Sequence, residues 1–153
     1  MRLTNQFSYP DSVIQAAYDG LYQPVWGMLR VSELVDSPLI KALAIQHWDK
    51  LEIDVDECLL ALFGTAWHKF LSGWQVDNEL RNHRWYTKIG ETNITGETDI
   101  FRLDGTIEDN KTTSVWAFVF GRKEWEYQLN SYAYLVSQNN YSEIGRASCR
   151  ERV

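Results

Sequence analysis

The sequence predicts an α/β fold of the α+β kind, in which a helix precedes an antiparallel three-stranded sheet and a second helix follows it. Three observations predict it. Asp54 to Trp74 carries apolar residues at helical spacing, and so does Lys123 to Gln138. Between them, Arg81 to Lys111 alternates as strands do, interrupted by turn residues at Gly90 to Asn93 and Leu103 to Gly105.

A chain of 153 residues is one domain's worth and long enough for a real core. Its 44% apolar and 14% aromatic content is globular rather than disordered. No apolar run approaches the ~20 residues that cross a bilayer. Met1 to Asn5 leads into no apolar signal segment, so the expectation is a cytoplasmic protein with no membrane partner. Two cysteines, Cys58 and Cys149, make neither a disulfide framework nor a zinc pattern. The formal charge of −6 speaks against a general electrostatic grip on nucleic acid. It leaves room for a nuclease whose basic groups are local, and Arg81, Arg84, Lys88, Arg102, Lys111, Arg122 and Lys123 all flank the central hairpin.

The early elements carry no chemistry. Pro10-Asp11-Ser12 starts a helix ahead of Val13 to Tyr18, and Ser37-Pro38 starts another that ends near Lys50. In Asp54 to Trp74, Leu59, Leu62, Phe63, Ala66 and Phe70 form one apolar stripe, with His68 at its edge and Gly64 one turn before it. Cys58 reads as a small buried hydrophobe, and Glu79 as a solvated charge rather than as a further acidic candidate for the site. Val115 to Phe120 reads by composition as a strand, or equally as a short buried turn of helix. Trp125, Leu129, Ala133 and Val136 form the inner stripe of the last helix, with Gln128 and Tyr132 sharing a face.

The hairpin within Gly96 to Lys111 has two candidate registers. A two-residue loop mixes charged with apolar partners and separates the acids. A three-residue loop, Leu103 to Gly105 with glycine in the left-handed region, pairs Phe101 with Ile107, Asp99 with Asp109 and Glu97 with Lys111 on one face. The second is chemically coherent and is the register expected. Two carboxylates held this close repel, and a bound cation is the usual remedy.

Four segments then fall together: Gly64-Thr65-Ala66-Trp67-His68, Gly96-Glu97-Thr98-Asp99, Asp109-Asn110-Lys111-Thr112 and Gln128-Leu129-Asn130-Ser131-Tyr132. In this order and spacing the chain resembles the PD-(D/E)XK nuclease superfamily, and within it the RecB-type exonucleases, including phage and CRISPR-associated members. The resemblance implies a restriction-endonuclease-like core and a DNA nuclease working in phage or bacterial recombination, repair or processing. It implies His68, Asp99 and Asp109 as ligands of Mg²⁺ or Mn²⁺, Asp99 and Asp109 with Lys111 as the catalytic set, and Gln128 and Tyr132 as DNA-binding residues. The partners implied are DNA and recombination proteins of a bacterial or phage-infected cell. Asn110 stands where the family often has an apolar residue and points to the opposite face. Ser37 precedes Pro38 near the place of the first cluster cysteine of iron–sulfur members, so no iron–sulfur cluster is expected from the visible chain. The alternative is a catalytically inactive module of the same fold that binds nucleic acid or a partner protein.

The last eleven residues, Glu143 to Val153, read EIGRASCRERV and resemble a translated sequencing-adapter oligonucleotide. On that reading the natural protein continues past Ser142, the chain is cut before the last core strand, and Cys149 has no biological meaning. Three Arg and two Glu leave with the tail, which moves the formal charge from −6 to −7. The expected division is an N-terminal extension over 1–25, the nuclease core over 26–142, and a non-native tail over 143–153.

Overall fold

A computed structural model of the chain describes residues 1–74, 76–113, 115–141 and 146–152, and only the backbone of Val115, Phe118 and 146–152. The N-terminal part is β1 (Arg2–Thr4), α1 (Asp11–Gly20), β2 (Met28–Arg30), α2 (Val31–Leu34), α3 (Pro38–His47) and β3 (Glu52–Asp54). Then come α4 (Val55–Ser72), β4 (Glu79–Ile89), β5 (Thr92–Arg102), β6 (Thr106–Thr112), α5 (Val115–Phe120), α6 (Lys123–Gln138) and β7 (Arg146–Arg152). The architecture is mixed α/β, with a two-stranded parallel sheet (β1 with β3) and a five-stranded mixed sheet. No helix among the described residues is long and apolar enough to cross a membrane.

Asp54 shows why α4 begins where it does. Its carboxylate accepts the Asp56 N–H at 3.1 Å, while Glu57 reaches back to the Asp54 N–H, a reciprocal cap of the first turn. Thr4 and the Gln6 N–H also donate to Asp54, which ties the N-terminal strand to the helix start. Ala17 of α1 packs with Val55 and Cys58 of α4 in a small core.

The inner face of α4 differs from the stripe expected. Val55 and Cys58 are buried and Leu59 and Leu62 pack beside them, whereas Leu60, Phe63 and Phe70 are exposed. Helical periodicity marks an apolar face but not the length over which a partner covers it. Here α1 covers only the N-terminal turns.

The main sheet is organised around β5. One of its edges carries β4 along the whole length, from Ile89↔Thr92 to Glu79↔Arg102. The other edge is divided. Parallel β2 pairs with Asn93, Ile94 and Thr95, and antiparallel β6 pairs with Ile100 and Phe101. Between these two partners lie Gly96 to Asp99, which neither strand covers. The buried positions of β5 step through the same stretch, from Ile94 and Thr98 at even spacing to Phe101 three residues on. Across from it Asn82 takes φ 47°, and the Asn82–Asp99 pair is missing from an otherwise continuous register.

Helix α6 lies over this interval. Leu129, Tyr132, Leu135 and Val136 are buried in the core with Val31, Trp85, Phe101 and Ile107. Trp85 donates to Thr98 Oγ1 at 2.9 Å, so the one polar atom of that indole is satisfied inside the core. Gly96 has no room for a side chain. A Cβ there would stand 2.6 Å from Val31 Cγ2, 2.8 Å from Tyr132 Cε1 and 3.0 Å from Leu135 Cδ1. Gly96→Ala is expected to cost about 1–3 kcal/mol by overpacking. Urea unfolding measures this, and an unchanged midpoint would mean that α6 is free to retreat.

One further expectation is corrected. Val115 to Phe120 is neither strand nor buried helix, because α5 buries Ala117 while Trp116, Val119 and Phe120 face outward. A strand follows α6: Arg146–Arg152 pairs in parallel with the whole of β6. An open strand edge accepts an extended segment through main-chain bonds alone, whatever the segment's origin. Ser142 and the start of the expected tail lie outside the described residues.

Candidate active site

The loop between β5 and β6 is Leu103 to Gly105, as the register argument requires. Gly105 has φ 85° and its N–H donates to Arg102 O at 2.9 Å, while Asp104 Oδ1 accepts the Thr106 N–H. Phe101 pairs with Ile107 and Ile100 with Glu108; continued, that register would set Asp99 opposite Asp109. The backbone ladder stops before that level. The Asp99 carboxylate takes the place of a carbonyl and accepts the Asn110 N–H at 2.5 Å. The strands part here, which explains one failed expectation. Glu97 pairs with Arg84 rather than with Lys111.

Each half of the site has its own partners. His68 on α4, about one-third exposed, donates from Nδ1 to Asp99 Oδ1 at 3.2 Å. That hydrogen bond raises the imidazole above its usual range, against the opposing effect of burial. Lys111 Nζ stands 2.7 Å from Asp109 Oδ2 and donates to Gln128 Oε1 at 2.8 Å. Gln128 Nε2 in turn donates to the Tyr132 hydroxyl at 2.8 Å. Burial pushes the Tyr132 phenol well above its ordinary value, so it stays protonated at any working pH.

All six residues singled out in the sequence therefore meet in one place. His68 and Asp99 form one pair, and Asp109, Lys111, Gln128 and Tyr132 form one chain. The charges of Asp99 and Asp109 both act on His68, so the two halves share one field. Asn110, also buried, contributes its backbone.

Burial is the main reason that Asp109 has a raised pKa. Lys111 opposes the rise and the charge of Asp99 adds to it. The sign follows from linkage. A carboxyl whose folded pKa lies above its unfolded value destabilises the fold when ionised. That penalty is absent below the unfolded value and complete above the folded one. Stability should therefore fall as pH rises from about 4 through the raised folded value. Asp109→Asn should abolish this fall and melt at a higher temperature than the parent at neutral pH. Thermal unfolding across that pH range decides it, and a parallel fall in the variant would sink the assignment.

Among the described residues, no group of three or more His, Cys, Asp and Glu side chains is arranged to hold a metal ion. The donors are engaged with each other or with the protein: Asp99 with His68 and the Asn110 N–H, Asp109 with Lys111. In kind they fit a divalent cation, being two carboxylates and an imidazole. Asp109 is raised first by its burial, with the charge of Asp99 adding to the rise against Lys111.

Sequence reasoning missed the ion network beside the site. The Glu79 side chain on β4, expected in solvent, is only 6% exposed and takes both Arg81 (2.7 Å) and Arg102 (2.9 Å). Burial pushes its carboxyl upward, but the hydrogen bonds from Arg102 and Arg81 outweigh this and hold it below the usual range. Arg102 also bonds buried Glu108 of β6. A pocket of about 160 Å³ joins this network to the site, with His68, Asp99, Arg81, Arg102 and Glu108 in its walls. Two of the basic residues flanking the hairpin are thus held by buried acids.

No protein-family model matches this chain, and no curated protein matches it. A solved structure titled "Crystal structure of SSO0001" superposes with a TM-score of 0.68 at 14% identity, covering 95% of this chain and 74% of that one. At that identity the likeness shows the fold alone. The mixed α/β architecture is one that a solved structure shares.

Proposed function

We propose that the protein is a divalent-metal-dependent deoxyribonuclease with a restriction-endonuclease-like core. On this reading it works as an exonuclease in DNA recombination, repair or processing in the cytoplasm of a bacterial or phage-infected cell. One observation carries the reading. Four segments far apart in sequence deliver His68, Asp99, Asp109–Lys111 and Gln128–Tyr132 to the place where β5 and β6 part.

His68, Asp99 and Asp109 would hold Mg²⁺ or Mn²⁺, and a bound ion supplies polarisation of the scissile phosphate and a lowered pKa for its water. The other roles belong to the chain itself. Asp109 and Gln128 hold the Lys111 ammonium from two sides, so it is oriented before substrate arrives. A cation so placed stabilises charge developing on phosphate oxygens without reorganising. Gln128 and Tyr132 offer an amide and a phenol to the strand beside it. Because Tyr132 is anchored in the core, this polar row is fixed to the fold rather than to a loop.

The test is hydrolysis of end-labelled DNA in Mg²⁺ or Mn²⁺. Lys111→Met should lower the rate by about 10²-fold or more, and chelation should abolish it. Hydrolysis that survives both treatments would falsify the proposal. A second reading, a module of the same fold that binds DNA without cutting it, is favoured by the engagement of both carboxylates within the protein. Binding with no hydrolysis in either metal would select it.

A further inference from the structure

A second polar pocket, of about 160 Å³, shares Tyr132 with the active site; Arg30, Ser32, Arg84, Thr95 and Glu97 also line it. It lies at the other end of the uncovered stretch of β5. Arg30 is the register partner of Thr95 where β2 meets β5. Asp99, four residues further along the strand, is roughly 13 Å away at strand rise.

Two features of this pocket lack internal partners. The Thr95 side chain is only 4% exposed, yet its hydroxyl has no hydrogen-bond partner among the described residues. Buried polar groups are nearly always paired, so such an orphan calls for an explanation. The second is Arg30. Its guanidinium lies over the Tyr22 ring, 3.1 Å from the centroid, which fixes its plane. Arg84 is paired with Glu97, but Arg30 has no carboxylate partner among the described residues. A fixed, unpaired fork beside an orphan hydroxyl is a donor set for an oxyanion. Counting Arg30 and Arg84 against Glu97, the pocket keeps one positive charge.

We propose that this pocket binds a phosphate group of the nucleic-acid strand, a few nucleotides from the bond that is cut. Arg30 grips two phosphate oxygens and Thr95 donates a further hydrogen bond. The identity of the strand rests on the nuclease reading above; the oxyanion chemistry of the pocket does not. The strand then runs along the β5 edge that β2 and β6 leave unpaired, from the Arg30 pocket past Gln128 to Lys111.

Two measurements test it. The first titrates inorganic phosphate and follows the resonances of Arg30 and Thr95 by NMR. Both should shift in the parent, and that of Thr95 should stay still in Arg30→Gln. The second measures binding of single-stranded oligonucleotides in EDTA, with and without a 5′-phosphate. Arg30→Gln should weaken binding about tenfold, the weight of a charge-assisted hydrogen bond. It should also reduce the slope of log affinity against log salt by about 0.7, one phosphate contact on a single strand. Thr95→Val should weaken binding less and leave the salt slope unchanged, and Arg30→Lys should restore part of the affinity. Loss confined to 5′-phosphorylated strands assigns a terminal phosphate, and equal loss assigns an internal one. Folded Arg30→Gln and Thr95→Val proteins with parental affinity and salt slope overturn the proposal. Phosphate shifts in a protein that neither binds nor cuts DNA would leave the pocket standing and remove the nuclease reading. Cutting without those shifts would do the reverse.

Discussion

Asp99→Asn is expected to leave the chain folded and to lower metal-dependent DNA hydrolysis by about 10²–10³-fold. The substitution separates the two tasks of this side chain. Its structural task is to accept the Asn110 N–H where the β5–β6 ladder stops. An asparagine oxygen can do the same at the same volume, so the thermal midpoint should barely move. On the nuclease reading its chemical task needs a negative charge next to His68, and an amide has none. A readout besides activity comes from His68. The hydrogen bond with the Asp99 carboxylate is the largest cause of its raised pKa, so the imidazole should titrate lower in the variant. A normal melt, a lowered His68 and lost hydrolysis together assign the chemistry to the charge. Hydrolysis above a tenth of the parental rate would remove Asp99 from the active site.

Most of the site was legible because its spacing is local. Acid, glycine-closed turn, acid and lysine all lie within Gly96 to Lys111, where strand alternation and a positive-φ glycine leave one coherent register. Gln128 and Tyr132 share a helix face by the four-residue rule. Helix starts were legible for the same reason, since Pro38 and Asp54 act within one turn.

What was not legible depends on partners distant in sequence. The burial of Glu79 comes from Arg102, 23 residues on, and from Arg81 beside it in the strand. Read alone, Glu79 is an acid before a strand and solvent is the default. Phe63 and Phe70 continue the apolar period of α4, but nothing in that period says where α1 stops covering it. The division of the β5 edge is of the same kind. There β2, from the N-terminal part, pairs with Asn93 to Thr95, and β6 pairs only further along the strand. Asn82 at positive φ and Gly96 under Tyr132 are the residues that permit this geometry, and each looks ordinary in isolation.

The largest stability effect is expected at Arg102. Its guanidinium bonds Glu79 of β4 and Glu108 of β6 from its own place at the end of β5, so one side chain ties three strands just below the point where they part. Both acids are nearly inaccessible, with side-chain exposures of 6% and 3%. Arg102→Met keeps most of the apolar stem but removes a cation that serves two buried carboxylates. Glu79 would keep Arg81 alone, which also donates to Leu71 O. Removing one partner of a buried ion pair costs about 3–5 kcal/mol, because the remaining charge stays desolvated. Arg102 is itself partly exposed, so the lower end of that range is expected in chemical unfolding. Arg102→Met with Glu79→Gln and Glu108→Gln should recover much of the loss, since neutral amides need no counter-charge. A single variant as stable as the parent would show that Arg81 and the protein around Glu108 suffice. The site would then open on a sheet that Arg102 does not hold.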